Sequence, residues 1–203
     1  MQTGRFITFE GTEGAGKSTQ IPLLKAWLES QGKTVITTRE PGGTPLSEKI
    51  RALLLNDDMT AETELLLMFA ARKEHIEQVI QPALLRGDWV LCDRFTEATY
   101  AYQAAGRAID VSRIAYLEDW LQGTLRPDCT LWFDIDVAQG MARAEKRHAL
   151  DRFEQEAMSF FDKVRSGYAE QAAKRPAQFK RIDAALSIDE ITLQITEQLQ
   201  PLL

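Results

Sequence analysis

The sequence predicts an α/β fold, a parallel sheet of about five strands flanked by helices. Three observations carry that reading. Short apolar runs bounded by turns alternate with longer helical patterns, which implies parallel strands joined by crossover helices. A glycine-rich segment, "FEGTEGAGKST" (9–19), separates the first apolar run from the first helical pattern. The most polar motifs then follow strand ends, where open parallel sheets bind ligands. With 203 residues and no internal repeat, low-complexity tract or Pro/Gly-rich linker, one domain over 1–203 is expected.

The elements follow in order. "RFITFE" (5–10) is short, apolar and rich in strand formers, so it reads as the first strand, and Lys17 to Ser30 as the helix that leaves the glycine loop. "TVITT" (34–38) is the second strand, followed by helices over Pro45 to Leu55 and Ala61 to Leu85. "WVLCD" (89–93) is the third strand, and a helix over Val111 to Leu121 leads to the fourth, "CTLWFDI" (129–135). Helices over Val137 to Lys146 and Arg152 to Lys174 come next. The most polar strand, "QFKRID" (178–183), and a last helix over Ile188 to Leu199 complete the chain.

Composition narrows the function. Hydrophobic residues at 44% and charged residues at 27% describe a globular chain, and a formal net charge of -6 argues against a surface built to coat nucleic acid. Cys92 and Cys129 lie in apolar runs with no metal-ligand spacing, so two reduced, buried thiols are expected. The N-terminal segment has no signal-like apolar stretch and no later run reaches membrane-spanning length, so the expectation is a cytoplasmic enzyme without membrane partners.

Gly11, Gly16, Lys17 and Ser18 match G-x-x-x-x-G-K-S/T without a gap, with Gly14 as an extra glycine, in the strand-to-helix context the motif needs. The loop Gly11, Thr12, Glu13, Gly14, Ala15, Gly16, Lys17, Ser18 and Thr19 is therefore expected to wrap the phosphates of ATP with backbone N–H groups and a helix N-terminus. Lys17 would reach the outer phosphates and Ser18 would hold Mg²⁺. No guanine-reading N-K-x-D occurs, and the third strand ends in Asp93-Arg94 rather than Asp-Glu, which argues against a GTPase and a large ATPase. Arg39, Arg51, Arg72 and Arg94 fall near the same rim, and arginine grips phosphate in a bidentate way. A second anion site beside the first suggests transfer between two phosphorylated molecules rather than hydrolysis.

Over nearly its whole length the chain resembles the thymidylate kinases. "FEGTEGAGKST", "TREPGGTP", "LLLMFAAR", "DRFTEATYAYQ", "RPDCTLWFDIDV" and "LDRFEQE" stand in that family's order at about its spacing. The resemblance implies a P-loop kinase-type fold with a lid at about 143–156, usually a homodimer, that moves the γ-phosphoryl of ATP onto dTMP with Mg²⁺ for dTTP synthesis. It implies Asp93 near the metal, partly through water, and Arg94 bridging the two phosphates. Arg39, Glu40 and Arg51 would serve the acceptor phosphate, and Arg72, Thr99 and Gln103 the thymine. Tyr102 would lie under the sugar and disfavour a 2′-hydroxyl. Family spacing puts Met68 at the position that stacks on the base, yet the aromatic residue is Phe69. Phe69 is the expected stacker, with Met68 beside it; ordinary core is what an amphipathic helix alone would suggest for both.

Glu13 is the unusual residue, an acid inside a phosphate loop. The resemblance is to the bacterial branch, which has glycine and glutamate here and supplies an arginine from the lid. Arg147 and Arg152 are the expected lid cations, while Arg143 would cap or solvate its helix. Glu13 is expected to face the acceptor side or the lid, ordering an arginine or accepting from the sugar. His75 and His148 are expected to be surface or structural. Alanines at 104 and 105 depart from the family's usual glycine. Two rivals remain from the residues alone: a deoxynucleoside kinase, which needs less positive charge at its acceptor end, and a nucleotide-binding switch without chemistry.

Overall fold

The computed structural model describes residues 4–145 and 152–203. Five strands form one sheet: β1 (Phe6–Glu10), β2 (Val35–Arg39), β3 (Trp89–Asp93), β4 (Cys129–Asp134) and β5 (Phe179–Asp183), in the order β2-β3-β1-β4-β5 with all pairs parallel. The helices are α1 (Lys17–Ser30), α2 (Pro45–Asn56), α3 (Ala61–His75), α4 (Gln81–Arg86), α5 (Thr96–Thr99), α6 (Val111–Gln122), α7 (Val137–Glu145), α8 (Met158–Lys174) and α9 (Ile188–Leu199).

Alternation along the strands sends side chains to both faces, and both are covered. Ile7, Phe9, Leu91 and Leu131 bury against Leu24 and Leu28 of α1 and Ile191 and Ile195 of α9. Phe6, Val90 and Cys92 bury against Ile76, Ile80 and Phe95 on the other face. Each such side chain, fully withdrawn from water, contributes about 1.5–3 kcal/mol. Both cysteines are buried and unpaired. The register sets Asp93 beside Phe9 and Arg39, so the polar ends of three adjacent strands share one edge.

Three expectations need correction. The helix from Ala61 to Leu85 is interrupted by a π-helical turn, Ile76–Ile80, where the N–H of Gln81 reaches back to the carbonyl of Ile76. Pro82 follows; it lacks an N–H and crowds the preceding turn, and the wider turn accommodates it. The helix expected from Arg152 begins only at Met158, because Arg152 and Phe153 turn inward to tertiary partners. The third concerns "TEATYAYQAAG" (96–106), read as a motif without an element. It is helical throughout, α5 running into a π-helical Tyr100–Gly106. Its threonines, aromatics and glycine give a weak propensity signal, and packing on α8 decides the outcome. Gly167 permits that approach, since a Cβ there would meet Ala105 at 2.8 Å and the Cα of Ala101 at 3.0 Å.

Candidate active site

The glycine loop links β1 to α1. Gly11, Gly14 and Gly16 have φ of 136°, 69° and 91°, a region open to glycine at little cost. A Cβ at Gly14 would run into the carbonyl oxygen of Gly140, so the loop is seated directly on the α7 backbone. Thr44, Thr60, Asp110 and Ser187 cap α2, α3, α6 and α9 with their side chains, whereas Gly16, at the cap position before α1, offers no side chain. Its first N–H groups and the positive end of its dipole are thus left for an anion. Lys17 folds back on the loop, donating from Nζ to the carbonyls of Gly11 and Thr12 at 3.1 Å each. Burial, and then Arg94, hold its pKa below the usual lysine range. The Ser18 side chain is exposed beside Asp93 in the cleft, and Asp93 Oδ1 is buried without a hydrogen-bond partner among the described residues.

Glu13 turns away from the loop's N–H groups. Its Oε1 accepts from Arg94 Nη2 at 2.5 Å and from the Tyr102 hydroxyl at 2.9 Å. Burial opposes its ionisation, but Arg94 and then Lys17 hold its carboxyl below the usual range. Arg94, at φ 69°, is fixed on every side. It donates to the carbonyl of Gly11 at 2.9 Å and to the Tyr168 hydroxyl at 3.2 Å, with its guanidinium 4.9 Å from the Tyr102 ring centre. Beneath it lies Glu10, fully buried, accepting from the Phe95 N–H at 2.7 Å and the Tyr168 hydroxyl at 2.8 Å. Burial, and then the Glu97 carboxyl, push Glu10 up to about 8.

Next to Glu13 opens a small cavity of about 110 Å³. Arg72, Thr99 and Gln103 line it on one side, Met68, Phe95 and Tyr102 on others. Arg72 is only 2% exposed and is held by a relay of side chains. Its Nε donates to Glu40 at 2.6 Å, and its Nη2 to Thr99 Oγ1 at 3.0 Å and the carbonyl of Phe95 at 3.2 Å. The other oxygen of Glu40 meets His75 Nδ1 at 3.0 Å, and His75 Nε2 meets Thr38 Oγ1 at 2.6 Å. Of the Arg72 nitrogens, Nη1 is left buried with no hydrogen-bond partner among the described residues.

Most of the expected residues converge here. Arg39 and Arg51 border the phosphate cleft; Arg39 pairs with Glu48 at 2.8 Å and Arg51 donates to the carbonyl of Pro41 at 3.0 Å. Phe69 does not converge. It points into the core with Leu65, Tyr100 and Ile114 and supports Arg72 from 4.9 Å, leaving Met68 on the cavity wall. The reason is helical phase, since the face three residues before Arg72 turns toward α6. Arg152 is also elsewhere than expected. It donates to the carbonyl of Leu54 at 2.9 Å and to Glu64 at 2.6 Å, and is not among the residues bordering the phosphate cleft. Arg143 donates to the carbonyl of Ala184 at 2.9 Å. Arg147 and His148 lie outside the described residues.

Sequence reasoning missed four residues. Glu10 carried a signal, a lone acid ending a buried strand. Phe95 adjoins the Asp-Arg pair. His75, expected to be surface or structural, is fully buried in the Arg72 relay. Glu64 carried no local signal at all.

Comparison with known proteins gives a consistent picture. A family model described as Thymidylate kinase matches residues 9–195. The chain is 52% identical to a thymidylate kinase of Teredinibacter turnerae, over 99% of this chain and 100% of that protein. It is 55% identical to one from Pseudomonas syringae pv. tomato, over 99% and 97%. The crystal structure of thymidylate kinase from Ehrlichia chaffeensis superposes with a TM-score of 0.79 at 35% identity, covering 98% of this chain and 99% of that one.

Proposed function

The chain belongs to the thymidylate kinase family, and on that premise we propose how its residues divide the work of phosphorylating dTMP to dTDP with ATP. That reaction is a step in the synthesis of dTTP. The observation that carries the division is the cleft itself: a phosphate loop at one end and a cavity with polar and apolar walls at the other, with Glu13 and Arg94 between them.

On this reading the ATP phosphates lie against Gly11 to Thr19, and Lys17 leaves the two loop carbonyls for the outer phosphates. Ser18 and Asp93 would hold Mg²⁺, partly through water; the unpartnered Asp93 oxygen beside an exposed hydroxyl fits a hard cation that keeps most of its water. The metal supplies charge neutralisation at the transferring phosphoryl group. Arg94 lies between donor and acceptor, and Arg39 and Arg51 take the dTMP phosphate. Glu13 keeps the Arg94 guanidinium oriented, and with Tyr102 it closes the sugar end.

At the base end Arg72 Nη1 donates to a thymine carbonyl, and Thr99 and Gln103 complete the polar edge. Met68 packs on the ring, with Phe95 supporting from the cavity wall. Glu40 acts through Arg72. Arg147 remains the proposed lid cation; Arg152 is assigned instead to anchoring the lid's C-terminal end through Glu64. The base-binding cavity and three arginines at the acceptor end favour this reading over a nucleoside kinase or a switch.

We also propose a homodimer in the cytoplasm. Leu66 and Tyr116 line an apolar hollow between α3 and α6, and Trp120 is exposed beside Tyr116, a surface that a second copy would cover. Light scattering after gel filtration tests that. No helix among the described residues is long and apolar enough to cross a membrane. For the reaction, coupled ADP release with ATP and Mg²⁺ is measured with dTMP, other nucleoside monophosphates and free thymidine. Turnover confined mainly to dTMP is expected. Turnover only with thymidine would overturn the phosphate-acceptor assignment.

A further inference from the structure

Glu64 is buried (1% exposed) one turn before Met68 on α3, outside the cavity, and three side chains converge on it. Gln103 Nε2 donates to Oε1 at 2.8 Å. Arg152 Nη2 donates to Oε2 at 2.6 Å, and Arg107 spans both oxygens at 3.4 Å. A carboxylate held by two guanidinium groups only accepts hydrogen bonds, so it admits one orientation of the Gln103 amide. The amino end of that amide faces Glu64. Reversed, it would set carbonyl oxygen against carboxylate oxygen in a buried place, a costly contact. Gln103 also lines the cavity, and its side-chain carbonyl oxygen accepts from no donor among the described residues, which leaves it for a ligand. Arg72 lines the same cavity, and its Nη1 is a donor with no hydrogen-bond partner among the described residues.

We infer that Glu64 is a specificity-determining positioning residue: by fixing the Gln103 amide it makes the cavity read a 4-oxo, 3-NH pyrimidine and reject a 4-amino one. The inference rests on the base-binding reading of the cavity given above. Thymine and uracil present a carbonyl acceptor beside an N–H donor, the complement of Arg72 and a fixed Gln103 carbonyl. Cytosine presents an amino donor beside a ring-nitrogen acceptor, and clashes in sign with both groups. A site built to pair polar edges discriminates strongly because the wrong ligand leaves buried groups unpaired. The same carboxylate anchors Arg152, so base selection and the lid's C-terminal anchor share one residue.

The test is kcat/KM for dTMP, dUMP and dCMP in the wild type, Glu64→Gln, Arg107→Gln and Gln103→Leu, and in Glu64→Gln combined with Gln103→Leu. An amide at 64 accepts either orientation of Gln103, so the dTMP/dCMP ratio should fall about tenfold in Glu64→Gln. It should not invert, because Arg72 still opposes cytosine. The dTMP/dUMP ratio should stay put, since those bases share the edge being read. Arg107→Gln, which leaves the carboxylate on the amide, should not move either ratio, and Glu64→Gln should have no further effect on them in the Gln103→Leu background. Where Glu64→Gln does not fold, Glu64→Asp replaces it: the shorter side chain keeps the charge but draws the acceptor back from Gln103, and the same fall in the dTMP/dCMP ratio is expected. Equal losses on all three nucleotides, or an unchanged dTMP/dCMP ratio in a folded variant, would overturn the inference. A wild type that turns over none of them would instead remove the base-binding reading on which it rests.

Discussion

The two ends of the cleft are made of different material. The phosphate end is backbone: one contiguous loop, three glycines at positive φ, an uncapped helix N-terminus and a lysine six residues from the carbonyl it touches. The nucleoside end is side chain: Arg72 on α3 reaches Glu40 across 32 residues of sequence, and Gln103 reaches Glu64 across 39. The first depends on the chain's ability to bend. The second depends on buried charges meeting their partners, so it is assembled only when the whole fold is. Glu13 joins them, a loop residue whose carboxylate is spent on Arg94, 81 positions away.

This contrast predicts different failures. Lys17→Met removes a transition-state cation and should lower kcat by about 10² to 10³ while leaving thermal stability near the wild type. Rapid-quench or coupled kinetics alongside a melting curve check both halves. Arg72→Met should do the reverse. It strands the buried Glu40 carboxylate, at a cost of about 3–5 kcal/mol in unfolding free energy, and raises the KM for dTMP; urea titration reads the first and steady-state kinetics the second. Glu13→Gln is intermediate, removing the ionic part of the Arg94 contact while its amide oxygen still accepts from Tyr102. About tenfold in kcat/KM is expected, and an unchanged value would mean that Arg94 orients itself without Glu13.

The most specific effect concerns Glu10, which serves both ends through Phe95 and Tyr168. Its folded pKa, about 8, lies above the ordinary value of 4.5. Between those pH values the native state holds the proton that the unfolded state has lost, so this residue's contribution falls as pH rises, by at most about 1.4 kcal/mol per unit. Glu10→Gln should flatten that part of the stability profile. A profile parallel to the wild type between pH 5 and 8 would contradict the raised value.

The same contrast explains what was legible in the sequence. The glycine loop reads directly, because a strand, a motif and a helix lie in consecutive residues and backbone geometry demands those residue types. The four apolar strands read for the same local reason. The identities of Arg72, Gln103 and Arg94 came from family motifs, and the structure brings them to one cavity. What stayed hidden is the set of contacts that hold them. Glu64 looks like any surface acid on an amphipathic helix, and His75 like a stray histidine, until tertiary packing buries them. Phe69 against Met68 turns on a rotation of one residue, finer than periodicity resolves. Arg152 has the composition of a lid cation, and only the fold shows its guanidinium on Glu64 and the α2 carbonyl.

The separation of the two ends is tested most directly by the dissociation constant of dTMP for Lys17→Met, measured by calorimetry without ATP. The expected value lies within about threefold of the wild type, under 1 kcal/mol of difference, in a protein whose turnover is nearly abolished. Loss of dTMP binding together with turnover would contradict it, because the nucleoside end would then depend on the loop it is argued to stand apart from.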